Sequence, residues 1–331
     1  MRVGYVAAVY VIRQLRKSAD NRQKAWKIKI MKIKVMCTSS GCIEEAPERY
    51  QNLGIDILRH HIYFEGEHLT EGDNLDIPKF YERLETIKDP KSNLPKTSFP
   101  SIEEVWAHYQ AALDEGCDEA LVFSISSGLS GTFSMLSQVA KDFEAEHPEI
   151  KINVVDTKIN SFGEGYHAIL AQRLVNEGKS VAEILKEIEW IQKTQELIGV
   201  DGKLDYLIYN GRLKGGKAFF GKMLSICPVV NFNRDGECVA LESVRTPKKA
   251  LARMCEIVKE KIGDRDPKDY LLWHVYTGPS LLEKLVEIEK EHGLSCNHED
   301  VIMSAGSGCH NGPWLAGYGL VFIRRPDEAF S

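Results

Sequence analysis

The chain has 331 residues, 43% hydrophobic and 27% charged, the make-up of a globular protein long enough for two cores. Its 42 basic and 48 acidic residues leave a formal charge of −6, which excludes a basic field able to hold nucleic acid by neutralising phosphates. The eight cysteines are scattered, without Cys-x-x-Cys pairs or a His at zinc-finger spacing, so reduced thiols, a cytoplasmic location and no metal site are expected.

Residues 3–12 are apolar but too short to span a bilayer, and the basic residues that follow have the wrong order for a signal peptide. Residues 1–30 therefore read as an extension outside the fold, which begins at Met31 with the alternating pattern of a strand over 32–37. Strands then alternate with helices, the pattern of parallel βαβ pairing. An extended stretch covers 55–64, Glu65-Gly66-Glu67 forms a turn, and Asp76 caps a short helix ending near Leu84. A polar loop over 88–95 leads to Thr97-Ser98-Phe99-Pro100-Ser101, where Ser101 and Glu104 make a capping box for a helix burying Val105, Trp106, Tyr109 and Leu113. Thr97 and Ser98 fall just ahead of that helix, where they rigidify a turn or hold a ligand.

The run Leu121-Val122-Phe123-Ser124-Ile125-Ser126-Ser127-Gly128-Leu129-Ser130-Gly131-Thr132 begins as a buried strand, breaks at a Ser/Gly cluster and opens a helix over 132–145. Backbone N–H groups and short hydroxyls converge in such loops, either to hold a carboxylate or phosphate or simply to cap the helix. A strand over 152–156 precedes a helix begun near Gly163 and Gly165, which lack the third glycine of a dinucleotide loop. Ser180 and Glu183 form a second capping box, and a short helix ends at Gly211. Beyond it, Phe219, Phe220, Met223, Leu224 and Ile226 are candidates for a tunnel wall or for core. Paired strands over 226–232 and 238–243 flank a turn at 233–236, and Thr246-Pro247 opens a helix to Ile262. A strand over 270–276, a helix over 280–291 and a strand over 300–304 lead into the Gly-rich loop Gly306-Ser307-Gly308-Cys309-His310-Asn311-Gly312-Pro313-Trp314 and a last strand over 318–323. Its lone His is catalytic, a ligand contact or a satisfied turn residue.

These segments together resemble the DegV family of bacterial fatty-acid-binding proteins from about Met31 to the C-terminus. The motifs that carry the likeness are Ser126-Ser127-Gly128-Leu129-Ser130-Gly131-Thr132, Thr97-Ser98-Phe99-Pro100-Ser101, Val155-Asp156-Thr157, Gly211-Arg212, Lys217-Ala218-Phe219 and His310-Asn311-Gly312-Pro313. The resemblance implies an α/β protein of two α/β domains, 31–163 with a mostly parallel sheet flanked by helices and 164–331 with a mixed sheet, and a ligand cleft between them. It assigns the carboxylate of a long-chain fatty acid such as palmitate, stearate or oleate to Thr97 and Ser130, with Ser127, Arg212 and His310 as secondary head-group contacts. It implies a carrier with no catalytic residue and no cofactor, which presents its lipid to a separate fatty acid kinase for acyl phosphate formation and phospholipid synthesis. No nucleic acid and no transmembrane segment are expected, though transient membrane contact fits this role.

The chain departs from the family pattern where Thr38-Ser39 replaces Asp-Ser, removing one buried carboxylate near the site, and where Trp314 replaces Gly, a change expected to reshape or narrow the pocket. A serine hydrolase using Ser130 and His310 is the alternative, but a nucleophile elbow needs Gly two residues after the Ser and Thr132 stands there. A phosphotransferase lacks a Walker-type Gly-Lys-Ser/Thr sequence. In the carrier, about 0.8 kcal/mol per buried methylene gives roughly 11 kcal/mol for some fourteen methylenes before association losses, so the tail governs affinity and the head group orientation.

Overall fold

The computed structural model describes residues 31–216 and 226–323. The expected extension 1–30 and the proposed tunnel residues Phe219, Phe220, Met223 and Leu224 lie outside the described residues, as does the Lys217-Ala218-Phe219 motif. In chain order the first elements are β1 (Ile33–Thr38), α1 (Glu48–Gln51), β2 (Asp56–Leu58), β3 (His61–Phe64), β4 (Glu67–Thr70), α2 (Ile77–Glu85), α3 (Pro90–Asn93), β5 (Lys96–Ser98), α4 (Ile102–Asp114), β6 (Glu119–Ser124), α5 (Thr132–Glu146) and β7 (Lys151–Asp156). Then come α6 (Phe162–Asn176), α7 (Val181–Thr194), β8 (Glu196–Asp201), α8 (Asp205–Tyr209), β9 (Cys227–Phe232), β10 (Cys238–Val244), α9 (Pro247–Ile262), β11 (Tyr270–Tyr276), α10 (Pro279–Glu291), β12 (Val301–Ile302), α11 (Ala305–Asn311) and β13 (Leu315–Phe322).

The first sheet has the order β2-β1-β6-β7 and all its pairs are parallel. A parallel sheet is covered on both faces, which is why β6 reads as an unbroken apolar run. Its side chains alternate between two cores: Ala120 and Val122 meet Tyr109 of α4 and Leu136 of α5, while Leu121 and Phe123 meet Ala168 of α6 and Ile184 of α7. Both capping boxes form, Ser101 with Glu104 and Ser180 with Glu183.

The 55–64 stretch is not one strand. It parts after Leu58, so that β2 joins the parallel sheet and β3 enters a separate antiparallel sheet of order β4-β3-β5. The turn between β3 and β4 places Glu65 and Gly66 at positive φ, 51° and 84°, the geometry a two-residue hairpin turn needs. Thr97 lies on β5 rather than in a turn, and a short helix, α3, occupies part of the expected 88–95 loop.

The second sheet is mixed, of order β10-β9-β8-β13-β11-β12, with only the β11–β12 pair parallel. One face is packed by α9 and α10, where Ile198, Val200 and Leu320 meet Leu251, Met254 and Leu285. The other face carries Leu197, Val275 and Leu315 toward Ile159 and Met303. Strand β8, absent from the sequence reading, is therefore central to this sheet. The Gly-rich 306–314 segment differs too: seven of its neighbourhood's residues, Ala305–Asn311, form α11, with Ser304 as N-cap accepting the Ser307 N–H.

Candidate functional site

Between the first-sheet loops and the inward face of the second sheet lies a cavity. Much of its wall is apolar, built from Ile125, Leu129, Leu197, Leu207, Val230, Phe232, Val275, Met303 and Leu315. Polar groups converge on the rest: Ser40, His60, Thr97, Ser130, Asn160, Arg212 and His310. Ile226, also named for the tunnel, packs beside Leu207, Val230 and Leu129.

Thr97 and Ser130 thus border one hollow. The Thr97 Oγ1 lies 3.0 Å from His310 Nε2, and β5 holds that residue by pairing with β3. Ser130 ends the loop after β6; its Oγ accepts the Thr132 N–H at 3.3 Å and lies 2.8 Å from Thr132 Oγ1. That loop is clamped from the second sheet, since Ser126 Oγ donates to Gly236 O at 2.7 Å and accepts the Gly128 N–H at 3.1 Å. A Cβ on Gly128 would stand 2.5 Å from Gly236 O, so only glycine permits this approach.

Ser127 is not brought to the cavity: it is exposed, its N–H bonds Asp156 and its hydroxyl accepts from Lys158 Nζ at 3.2 Å. Trp314 does not line the hollow either. Its ring lies under Lys203 Nζ, 3.5 Å from the centroid, and edge-on to Tyr206. Ser130 and His310 share the cavity, but the Ser130 hydroxyl is bonded to Thr132 and His310 Nε2 to Thr97, and the two side chains are not bonded to each other. The nucleophile–base hydrogen bond that a hydrolase uses is therefore not made in this arrangement.

Burial pushes the His310 imidazole down to about 3, helped by the charge of Arg212 and by His60. Burial likewise takes His60 down to about 4. Both rings are neutral at neutral pH, so the positive charge on this wall belongs to Arg212. Burial lowers its guanidinium somewhat, one Nη donates to Asn210 O at 2.5 Å, and no carboxylate pairs with it among the described residues. His310 Nδ1 is buried without a partner.

Behind Ser130 runs a chain of hydrogen bonds absent from the sequence reading. Thr132 Oγ1 lies 3.4 Å from His60 Nε2, His60 Nδ1 lies 3.2 Å from Ser39 Oγ, and Ser39 bonds Glu71. Glu71 also accepts the Gly306 N–H at 2.6 Å, and burial raises its carboxyl. A buried carboxyl group from another element nonetheless stands beside Thr38. Glu164, in the first turn of α6, is fully buried, accepts from Ser40 Oγ at 2.7 Å and bonds the Thr38 hydroxyl. Burial pushes it up to about 8. A single acid between Gly163 and Gly165 in an otherwise apolar helix start was the available signal.

The sequence model of one protein family, described as "Uncharacterised protein, DegV family", matches residues 32–322. The chain belongs to the DegV family. A DegV domain-containing protein of Clostridium perfringens is 29% identical over 296 residues, 89% of this chain and 99% of its own. One from Streptococcus pneumoniae is 34% identical over 234 residues, 70% of this chain and 78% of its own. Among solved structures, a fatty acid binding DegV family protein from Streptococcus agalactiae matches with a TM-score of 0.78 at 30% identity, over 89% of this chain and 100% of that one. DegV from Bacillus subtilis, described as a fatty acid binding protein, matches with a TM-score of 0.73 at 27% identity, over 88% and 99%. The α/β architecture of a parallel sheet and a separate mixed sheet is that of DegV structures. Among the described residues no helix is long and apolar enough to cross a membrane.

Proposed function

We propose that this DegV chain binds a long-chain fatty acid, with the carboxylate gripped by Thr97 and Ser130 and the acyl chain along the apolar wall of the cavity. The observation that carries this reading is the shared cavity: two hydroxyls from separate elements border one hollow that is polar around Arg212 and His310 and apolar along Leu129, Leu197, Val230, Phe232 and Leu315. Arg212, a cation without a carboxylate partner among the described residues, adds the charge that a buried carboxylate requires. The fatty acid binding described for the Streptococcus agalactiae and Bacillus subtilis relatives supports the same ligand class. The chain acts as a cytoplasmic carrier, presenting its lipid to a separate fatty acid kinase that forms the acyl phosphate used in phospholipid synthesis.

Native mass spectrometry of the purified chain, followed by titration of the delipidated protein with oleate, tests the binding. Bound fatty acid and saturable uptake are expected, with Thr97→Ala and Ser130→Ala each weakening affinity about 10–100-fold, since a hydrogen bond to a charged group contributes roughly 1.5–3 kcal/mol. A protein that carries no lipid and takes up none on addition sinks the proposal. For the carrier role, oleate, ATP and a purified fatty acid kinase should yield acyl phosphate only when this chain is added.

A further inference from the structure

A second cluster of reactive side chains lies on the opposite face of the mixed sheet, under α9 and α10. His274 on β11 has its side chain 5% exposed, Glu289 near the end of α10 has 9%, and Cys296 follows in the connection to β12. One ligating atom from each lies within 4.8 Å of the others, the one such group of three or more among the described residues. Of the eight cysteines, Cys296 alone is not buried.

We propose that His274, Glu289 and Cys296 form a zinc site. Imidazole, carboxylate and thiolate together suit zinc, which takes these donors tetrahedrally at about 2.0–2.3 Å. Ligand atoms around such an ion stand roughly 3.5 Å apart, so the group has only to contract by about an ångström. The surroundings have the form that metal ligands need. His274 Nδ1 is 2.6 Å from Asp300 Oδ1, the carboxylate–histidine arrangement that fixes the ring and leaves Nε2 for the metal. Glu289 Oε2 accepts the Tyr318 O–H at 3.0 Å, so this ligand is oriented as well. An ion pair alone would need one carboxylate beside His274; the second carboxylate and the neighbouring thiol go beyond it.

In the metal-free arrangement His274 meets Asp300 through Nδ1 and Glu289 through Nε2, 2.9 Å away. On binding, Nε2 turns from Glu289 to the ion while Nδ1 stays on Asp300, and the Cys296 Sγ proton, with any proton on Nε2, passes to solvent.

The test uses the full chain stripped of metal by a chelator and titrated with cobalt(II), then zinc. One cobalt per chain is expected, with a thiolate-to-cobalt charge-transfer absorbance that zinc abolishes. Cys296→Ser should remove that absorbance while leaving the far-ultraviolet circular dichroism unchanged. Asp300→Asn, at a half-exposed position, should weaken zinc roughly 10–100-fold by calorimetry while keeping the absorbance at saturating cobalt. No charge-transfer band in the parent chain, or an equal band in Cys296→Ser, overturns the proposal. Equal zinc affinity in Asp300→Asn overturns the part assigned to that carboxylate.

Discussion

For Ser130 to donate its proton to a bound carboxylate, Thr132 must donate to Ser130, His60 Nε2–H to Thr132, and Ser39 to His60 Nδ1. Ser39 then has no proton left for Glu71, so Glu71 must be protonated and donate to Ser39. Burial raises the Glu71 carboxyl above its ordinary value, which favours this sense of the chain. Oleate affinity is therefore expected to fall as pH rises through the folded-state pKa of Glu71. Glu71→Gln should remove that dependence, because the amide N–H donates to Ser39 while its oxygen keeps the Gly306 N–H; the same slope in both proteins would refute the relay. Glu164 gives a separate, ligand-free effect. Its folded value of about 8 lies above the ordinary 4.5, so the folded protein holds this proton more tightly, and stability declines as pH rises from about 4.5 to about 8. Melting temperatures across that range should fall less steeply in Glu164→Gln than in the parent, with the remaining slope due in part to Glu45, which burial and Glu71 also push up to about 8.

Elements that announced themselves in the sequence did so through local chemistry. Ser101 with Glu104, Ser180 with Glu183, Asp76 and Thr246 each capped the helix expected of them, because a side chain three residues from a backbone N–H needs no tertiary help. The misses have tertiary causes. Strand β8 has Gly199 at its centre and Glu and Asp at its ends, so its β character comes from β9 and β13 on either side. Helix α11 was hidden by its own glycines, which propensity places in a loop. They are there for packing: a Cβ on Gly308 would lie 2.4 Å from the Tyr81 hydroxyl, which is buried and donates to Met303 O at 2.8 Å. Gly308→Ala should therefore cost about 1–3 kcal/mol of stability, as overpacking does, and by shifting α11 should carry His310 away from Thr97 and weaken oleate binding. Unchanged unfolding and unchanged affinity would mean that Tyr81 yields without moving the helix.

At the scale of the molecule, the alternation of strands and helices and the hairpin around 233–236 made two α/β sheets legible, and the ordered motifs made the family legible. The convergence of Thr97, Arg212 and His310 on one cavity was expected only through the family motifs, because β5, the segment after α8 and α11 share no local pattern that would join them. Because the cavity is walled by loops that follow the first sheet's strands and by strands of the second sheet, its occupant should stabilise the whole chain: roughly 2.7 kcal/mol at a hundredfold excess over Kd. Delipidated protein is expected to melt lower than protein as purified, and oleate should restore the difference in a concentration-dependent way; a melting temperature indifferent to oleate would place the lipid outside these walls.

The two hydroxyls at the cavity mouth stand on scaffolds of unequal firmness. Ser130 is anchored between a central strand and the fifteen-residue α5, whereas Thr97 rides on a three-residue strand paired on one side only. Short edge segments open at far lower cost than central ones. In the proposed carrier, β5 is accordingly the segment expected to lift first when a guest leaves, ahead of the two large sheets.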